Sequence, residues 1–273
     1  MGEASEVNNH SNPSINLELA WIRNIPIDID PWAYEQVGKR NDGPFKDNYQ
    51  YLRIEESGES VVDCSSFGLS SKDYYYSRFS SNKQMISEGL ISKKVLLRES
   101  HAQRLARADQ YYRKRGLLLH IVSGWRHPEL QNIVKKEYAQ KYGQERADRL
   151  FASVGRQVPP PHSTGAAFDV ELRDINTKQK IDMDVFYENE RIISLYWAEE
   201  LMAYGKLDTK NSQAAMNRRI LYHGLCTKGI IFERDDDFFV GHPGEYWHYG
   251  DGDVLSAYLK KEPYIRYNAV YLE

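Results

Sequence analysis

The sequence predicts an α+β fold with a small, largely antiparallel sheet flanked by helices, and three observations support this. Amphipathic helical periods are interspersed with short runs of strand length. The strand runs are connected by turn-sized segments that suit hairpins rather than long parallel crossovers. With 41% hydrophobic residues in a chain of 273, a sizeable core can form in one large domain or two small ones, and no internal repeat or low-complexity linker divides it. The expected organisation is a disordered tail over 1–15 and a single domain over 16–273, whose first part, to about residue 95, is a loop-rich arm.

Composition excludes several function classes. A net charge of −3 without a long basic run gives no nucleic-acid footprint, and no stretch approaches the length of a membrane span. The two cysteines, Cys64 and Cys226, are isolated in the sequence and read as reduced packing residues. The first residues, MGEASEVNNHSNPS, lack the apolar stretch of a signal peptide, and Glu6 takes the place of the hydroxyl in a myristoylation motif, so a cytoplasmic protein is expected. The 20 tyrosines suit clefts, where an apolar body and a polar tip are both useful.

In chain order, Ile15 to Val62 holds short apolar patches broken by Pro26, Pro31, Gly38, Gly43 and Pro44, with one strand near Tyr51 to Ile54. Tyr74, Tyr75 and Tyr76 then form a cluster that serves packing or lines a cleft. Ser100 and Gln103 make a capping-box pattern for a helix of about four turns, closed by Gly116. Leu117 to Val122 is an apolar strand broken only by His120, and it runs into Ser123-Gly124-Trp125-Arg126. Pro128 opens the next helix, with Leu130, Ile133, Val134 and Tyr138 on one face. A short helix over Gln144 to Ser153 and an extended stretch over Val158 to Pro161 precede the next strand. From Ala167 to Leu172 the residues alternate, which puts Ala167, Asp169 and Glu171 on one face and Phe168, Val170 and Leu172 on the core side. Asp174 to Lys178 reads as a turn. Arg191 to Tyr204 and Ser212 to Leu221 read as helices, the first closed by Gly205 and the second followed by Gly224. Ile230 to Glu233 and Phe238 to Val240 read as a hairpin around Arg234 to Asp237, and a last strand begins near Trp247.

The chemistry concentrates in two stretches. In PPPHSTGAAFDVEL, His162 precedes Asp169 by seven residues, and Gly165 allows the loop to turn back over the strand. A divalent metal such as zinc needs a third protein ligand and, in a catalytic site, an open fourth position. GEYWHYGDGD supplies Glu245 and His248, three residues apart. Two neutral imidazoles and one carboxylate suit zinc, so His162, Asp169 and His248 are the candidate ligands of one ion per chain. Glu245 is the candidate general base, expected in a turn or bulge because a regular strand would face it away from His248. Trp247 is expected to pack beside the site. Arg126, just past a buried strand, can donate to a developing oxyanion without titrating near neutral pH. Singly, each feature is commonplace: a loop histidine, a strand-end aspartate, a short Glu-x-x-His. Together they describe a hydrolytic metal site. His120, His127, His223 and His242 are assigned to structure, although His242, six residues from His248, could reach a substrate. The absence of H-E-x-x-H excludes a zincin.

At these residues the chain resembles the zinc D-alanyl-D-alanine dipeptidases and carboxypeptidases of bacterial cell-wall metabolism and vancomycin resistance. His162-x-x-Gly165-x-Ala167-x-Asp169 matches the first metal motif, Glu245-Tyr246-Trp247-His248 the second, and Ser123-Gly124-Trp125-Arg126 the arginine motif. The resemblance covers about residues 95 to 260. It implies a fold similar to the zinc-binding domain of hedgehog signalling proteins, zinc held by His162, Asp169 and His248, Glu245 as base and Arg126 as the transition-state residue. The substrate would be a small peptide, D-alanyl-D-alanine, and nothing in the sequence assigns an oligomeric partner. The sequence departs from the dipeptidase pattern at Ser123, where those enzymes often carry an acid and where Ser-Gly-aromatic-Arg looks more like the carboxypeptidase branch. It also has Pro160 where some members have serine. A carboxypeptidase or endopeptidase acting on peptidoglycan stem peptides is therefore the alternative. A non-catalytic zinc-binding module is a further one, against which the presence of both Glu245 and Arg126 argues.

Overall fold

A computed structural model describes residues 17–38, 52–151, 158–234 and 237–272. The tail expected over 1–15 lies outside the described residues, as do Tyr51 and the last part of the helix expected to reach Ser153. Among the described residues the main sheet has five strands, in the spatial order Ser70–Ser71, Leu117–Ser123, Ala167–Asp174, His248–Gly250, Val240–Gly241. Every pairing is antiparallel except that of Ser70–Ser71 with Leu117–Ser123, which is parallel. The expected α+β architecture with a largely antiparallel sheet is therefore present.

The alternation along the central strand, Ala167–Asp174, decides which side of the sheet becomes core. Phe168, Val170 and Leu172 are fully buried, whereas Asp169, Glu171 and Arg173 are only partly so. The apolar face packs with Leu119 and Ile121 of the neighbouring strand against two helices. Glu99–Arg113 supplies Ala102, Leu105, Ala108 and Tyr112, and Thr209–Cys226 supplies Ile220, Leu221 and Leu225. At roughly 1.5–3 kcal/mol for each large apolar side chain buried, this one cluster is the main stabilising term. The polar face of the central strand is left free to line a site. Pro128 stands at the start of helix Pro128–Tyr142, as expected, and His127 caps it by accepting from the Glu129 amide at 3.1 Å. Both cysteines are free, and no helix among the described residues is long and apolar enough to cross a membrane.

Several elements differ from expectation. The helix assigned to the Ser100 capping box begins at Glu99, with Arg98 at the cap position and no side-chain cap. The Ser100 amide instead donates to the Glu59 carboxylate from the arm. The helix expected from Arg191 begins only at Leu195, capped by Ser194; Glu190–Ile192 pairs with Val185–Tyr187 as a two-stranded ribbon. Two polar residues, Glu188 and Asn189, take the left-handed conformation that makes this tight turn. The helix expected over Ser212 to Leu221 extends from Thr209 to Cys226, capped by Asp208. Gly224 is inside this helix, where a Cβ would collide with the Tyr112 hydroxyl, so the glycine serves helix packing rather than termination. Residues 235 and 236 of the hairpin expected around Arg234 to Asp237 lie outside the described residues; of its expected second strand, Val240–Gly241 pairs with His248–Gly250. The arm holds more regular structure than its composition suggested. It includes helices Leu17–Arg23 and Pro31–Gly38, a strand Arg53–Ile54 parallel to Tyr264–Ile265, and a strand Val61–Asp63 antiparallel to Leu96–Arg98.

Candidate metal centre

Sheet register brings the separate motifs together. Asp169 stands opposite His248 on one side and opposite Ser123 on the other, across a bulge between Ile121 and Ser123. Directly opposed residues of antiparallel strands share a face, so Asp169 and His248 both project from the polar side of the sheet. The bulge re-aims the end of the neighbouring strand, and the chain turns through Gly124 to Arg126. Gly124 is required there, since a Cβ would strike the Leu96 carbonyl oxygen.

His162 arrives on a 3₁₀ turn, Pro161–Thr164, that ends at Gly165 in the left-handed region with φ 73°. A side chain at Gly165 would also meet Val61 Cγ1 at 2.7 Å. The turn is fastened from three sides. Arg98 donates its amide to the Gly165 carbonyl at 2.9 Å and its Nε to the Thr164 carbonyl at 2.7 Å, and the Arg126 amide donates to the His162 carbonyl at 3.1 Å. From the C-terminal segment, the Val270 amide donates to the Ser163 carbonyl at 2.9 Å.

The result is a buried gathering of lone pairs. His162 Nε2 lies 3.2 Å from His248 Nδ1 and 3.4 Å from Asp169 Oδ1, and His248 Nδ1 lies 3.1 Å from the same oxygen. One potential ligand atom from each residue falls within 4.8 Å of the others. His162 Nδ1 donates to the Gly124 carbonyl at 2.8 Å, which fixes the tautomer and leaves the Nε2 lone pair pointing at its neighbours. Burial pushes the His162 imidazole down to about 4, so it is neutral at neutral pH. Burial opposes ionisation of Asp169, yet the two imidazoles hold its carboxyl well below the usual carboxylate range. Three converging acceptors repel one another unless a proton or a cation lies between them. The donor set, two nitrogens and one oxygen with the orienting hydrogen bond on His162, fits a zinc ion.

Arg126 is buried beside this cluster. Its Nη1 donates to Gln131 Oε1 at 2.6 Å, and its Nη2 lies 3.5 Å from Ser123 Oγ and 3.9 Å from Asp169 Oδ2. Its Nε is buried without a hydrogen-bond partner among the described residues. Glu245 is mostly buried and its Oε2 lies 4.0 Å from His248 Nδ1. It sits in the expected turn: its amide donates to the His242 carbonyl at 3.2 Å, and the His248 amide donates to the Glu245 carbonyl at 3.1 Å. That double turn lets residues three apart in sequence approach the same cluster.

The remaining expectations resolve locally. Trp247 is half-buried under the Arg191 guanidinium, 5.5 Å from its ring centroid, and against Tyr246. His242 is buried edge-on to His248 at 5.3 Å, and its Nδ1 accepts from the Gly244 amide, so it shapes the turn that carries Glu245. His120 pairs with Ser70 Oγ at 2.8 Å, and His223 with Thr227 Oγ1 at 2.9 Å. Sequence reasoning missed the Gly124 carbonyl and Gln131. The signal for Gln131 was a polar residue between Leu130 and Val134 on the buried face of its helix. It also left Tyr75 undecided and did not single out Asp73. Asp73 caps helix Tyr74–Phe79 through the Tyr76 amide at 2.7 Å, and burial pushes its carboxyl up to about 6.

No family model matches the chain. The chain is 31% identical over 103 residues to a D-alanyl-D-alanine dipeptidase of Synechocystis sp., a match spanning 37% of this chain and 38% of that protein. Among solved structures, it is similar to the LdcB LD-carboxypeptidase, described for its recognition of peptidoglycan. The identity is 17% and the TM-score 0.33, with 76% of this chain and 73% of that one covered. The kinship expected from the three motifs is borne out by the first of these matches: over the shared stretch, the chain is a relative of D-alanyl-D-alanine dipeptidase.

Proposed function

We propose that this chain is a zinc D,D-dipeptidase that hydrolyses D-alanyl-D-alanine in the cytoplasm, with His162, Asp169 and His248 as metal ligands. The observation that carries the reading is the convergence of those three side chains beside one carboxylate, Glu245, and one guanidinium, Arg126. A zinc ion held there would supply Lewis acidity, polarising a carbonyl and bringing the pKa of water toward roughly 7. Glu245 takes the proton of the attacking water and returns it to the departing amine. Arg126, held by Gln131 and Ser123, donates to the carbonyl oxygen as negative charge develops there, an effect commonly worth about 3–4 kcal/mol per donor. The Gly124 carbonyl keeps His162 in the tautomer that presents Nε2.

A dipeptidase must also close the cleft beyond the substrate's amino end. Helix Tyr74–Phe79 of the arm borders Arg126, and the buried Asp73 at its start is the nearby acid available to an ammonium group. Ser123, hydrogen-bonded to Arg126 where dipeptidases often carry an acid, favours the second reading, a carboxypeptidase acting on peptidoglycan stems. Steady-state kinetics of the zinc-loaded protein separate the two. The dipeptidase reading expects kcat/KM for D-alanyl-D-alanine to exceed that for its N-acylated form by at least about a hundredfold, equivalent to roughly 2.7 kcal/mol. Comparable rates, or a preference for the acylated peptide, would move the chain to the carboxypeptidase reading. No hydrolysis of either would remove the peptidase assignment.

A further inference from the structure

The segment that follows strand Tyr264–Ile265 runs along the arm toward the proposed metal centre, and it is fixed before it arrives. Tyr264–Ile265 pairs with Arg53–Ile54, the Tyr267 hydroxyl donates to Glu59 Oε2 at 2.7 Å, and the Asn268 amide donates to Glu56 Oε2 at 2.5 Å. Arg98 Nη2 donates to the Asn268 carbonyl at 3.1 Å. Two residues further on, both backbone groups of Val270 engage the site's surroundings. Its amide donates to the Ser163 carbonyl at 2.9 Å, and its carbonyl accepts from the Trp125 indole Nε1 at 3.0 Å. Ser163 directly follows the candidate ligand His162, and Trp125 directly precedes Arg126. Both Ser163 and Trp125 are buried, so neither bond is easily replaced by one to water. The segment is anchored without these two bonds; what they join is the His162 turn and the Arg126 loop.

Building on the proposed metal centre, we infer that Val270 is a positioning residue for it: its two peptide groups clamp the His162 turn to the Arg126 loop and so set where His162 Nε2 stands. Of the three candidate ligands, Asp169 and His248 are placed by strand register, whereas His162 comes from a short 3₁₀ turn that makes few bonds of its own. The loop already bonds His162 itself, through the Gly124 carbonyl on Nδ1 and the Arg126 amide on the His162 carbonyl. Contacts to one residue leave it free to rock about them; a hold on the next peptide removes that freedom. Val270 touches no ligand atom and takes no part in any chemical step. It acts through its backbone, and its two bonds lie in series, Trp125 to Val270 to Ser163, so losing either one opens the clamp.

The test removes each bond separately and then both. Val270→Pro has no amide to give Ser163, and Trp125→Phe keeps an aromatic ring without the donor. Zinc affinity is measured by chelator competition, alongside the melting temperature of the metal-free protein and the visible spectrum of the cobalt-substituted protein, which reports ligand geometry. The expected result for Val270→Pro is a zinc dissociation constant raised about tenfold, an altered cobalt spectrum, and a metal-free melting temperature close to wild type. Trp125→Phe should weaken zinc as well, and the double variant should stay within about threefold of Val270→Pro alone, because bonds in series are not additive. Tyr271→Ala trims an exposed ring beside the clamp, leaves both bonds, and should bind zinc within about threefold of wild type. A Val270→Pro protein with wild-type zinc affinity and cobalt spectrum would overturn the inference. So would fully additive losses in the double variant, or an equal loss in Tyr271→Ala. If Val270→Pro does not fold, Trp125→Phe decides by the same zinc and cobalt readouts. Failure of the metal-centre reading looks different: wild type itself then holds no stoichiometric zinc, and the positioning role falls with it. Hydrolysis is not read, so failure of the substrate assignment leaves each of these outcomes unchanged.

Discussion

Two buried clusters of charge flank the short strand His248–Gly250, and they are built in opposite ways. Just past its end, Asp251 is fully buried and saturated: Arg104 reaches one oxygen at 3.0 Å, while Lys260 and Arg266 both reach the other at 2.7 Å. Its backbone carbonyl accepts from His101 Nε2 at 2.9 Å. At the start of the strand, Asp169 is approached only loosely, at 3.1 and 3.4 Å by two imidazoles and at 3.9 Å by Arg126. His248 Nε2 and Arg126 Nε lack partners among the described residues. Both carboxyls sit below their ordinary range, Asp251 at about 2, so a depressed carboxylate does not by itself mark a functional site. The mark is lone pairs arranged around a gap. Asp251 holds together helix Glu99–Arg113, helix Val254–Lys260 and the C-terminal segment; the donor atoms of the Asp169 cluster fit a metal ion.

The sharpest way to break this contrast is Glu245→Gln. If Glu245 is the base rather than a ligand, turnover falls by roughly two to four orders of magnitude while zinc content stays at the wild-type value. Loss of zinc would make Glu245 a ligand, and retained turnover would remove its role. Next in size, Asp251→Asn leaves three cations around a neutral amide and is expected to lower unfolding free energy by about 3–5 kcal/mol in urea titrations, with the zinc site intact. Asp169→Asn in metal-free protein is expected to cost clearly less stability and to abolish stoichiometric zinc binding. Equal losses from the two substitutions would erase the distinction between the clusters.

Acid sharpens the same comparison. Burial holds His101 down at about 3 from 6.5, so the unfolded chain takes up that proton first and stability falls as pH drops through the window from 6.5 to about 3. Although burial raises the Asp251 carboxyl, Arg104, Lys260 and the neighbouring His101 and Arg266 lower it from 3.8 to about 2. Its contribution is therefore complete above 3.8 and lost as pH falls toward about 2. Melting temperature of the metal-free protein against pH should show both losses, and His101→Gln should flatten the upper one. An unchanged upper limb in that variant would place the acid sensitivity elsewhere. The smallest effect is expected from Gly165→Ala, which forces a side chain into the left-handed region against Val61 and costs about 1–2 kcal/mol. It should also weaken zinc affinity, because the turn it strains carries His162. Unaltered affinity would show that the turn is not what positions that ligand.

The sequence was informative wherever one side chain or one period determined the outcome. Alternation from Ala167 to Leu172 gave the face of Asp169, and Pro128 marked its helix start. The three-residue spacing of Glu245 and His248 required a turn, which is where Glu245 lies. Legibility failed where pairing or packing at long range chose between local options. The apolar run near Val240 could form a hairpin locally but is taken up by the strand of His248, and Gly224 looks like a helix stop until Tyr112 is packed against it. Gln131 and the Gly124 carbonyl acquire meaning only once Arg126 and His162 lie beside them.

The central claim is that His162, Asp169 and His248 enclose a metal ion, and zinc stoichiometry after equilibrium dialysis of wild type and His162→Ala tests it most directly. The account predicts about one zinc per chain in wild type, bound at roughly 2.0–2.2 Å from its nitrogen and oxygen ligands, and no stoichiometric zinc in the folded variant. A His162→Ala protein that still holds one zinc per chain at the same site would contradict it.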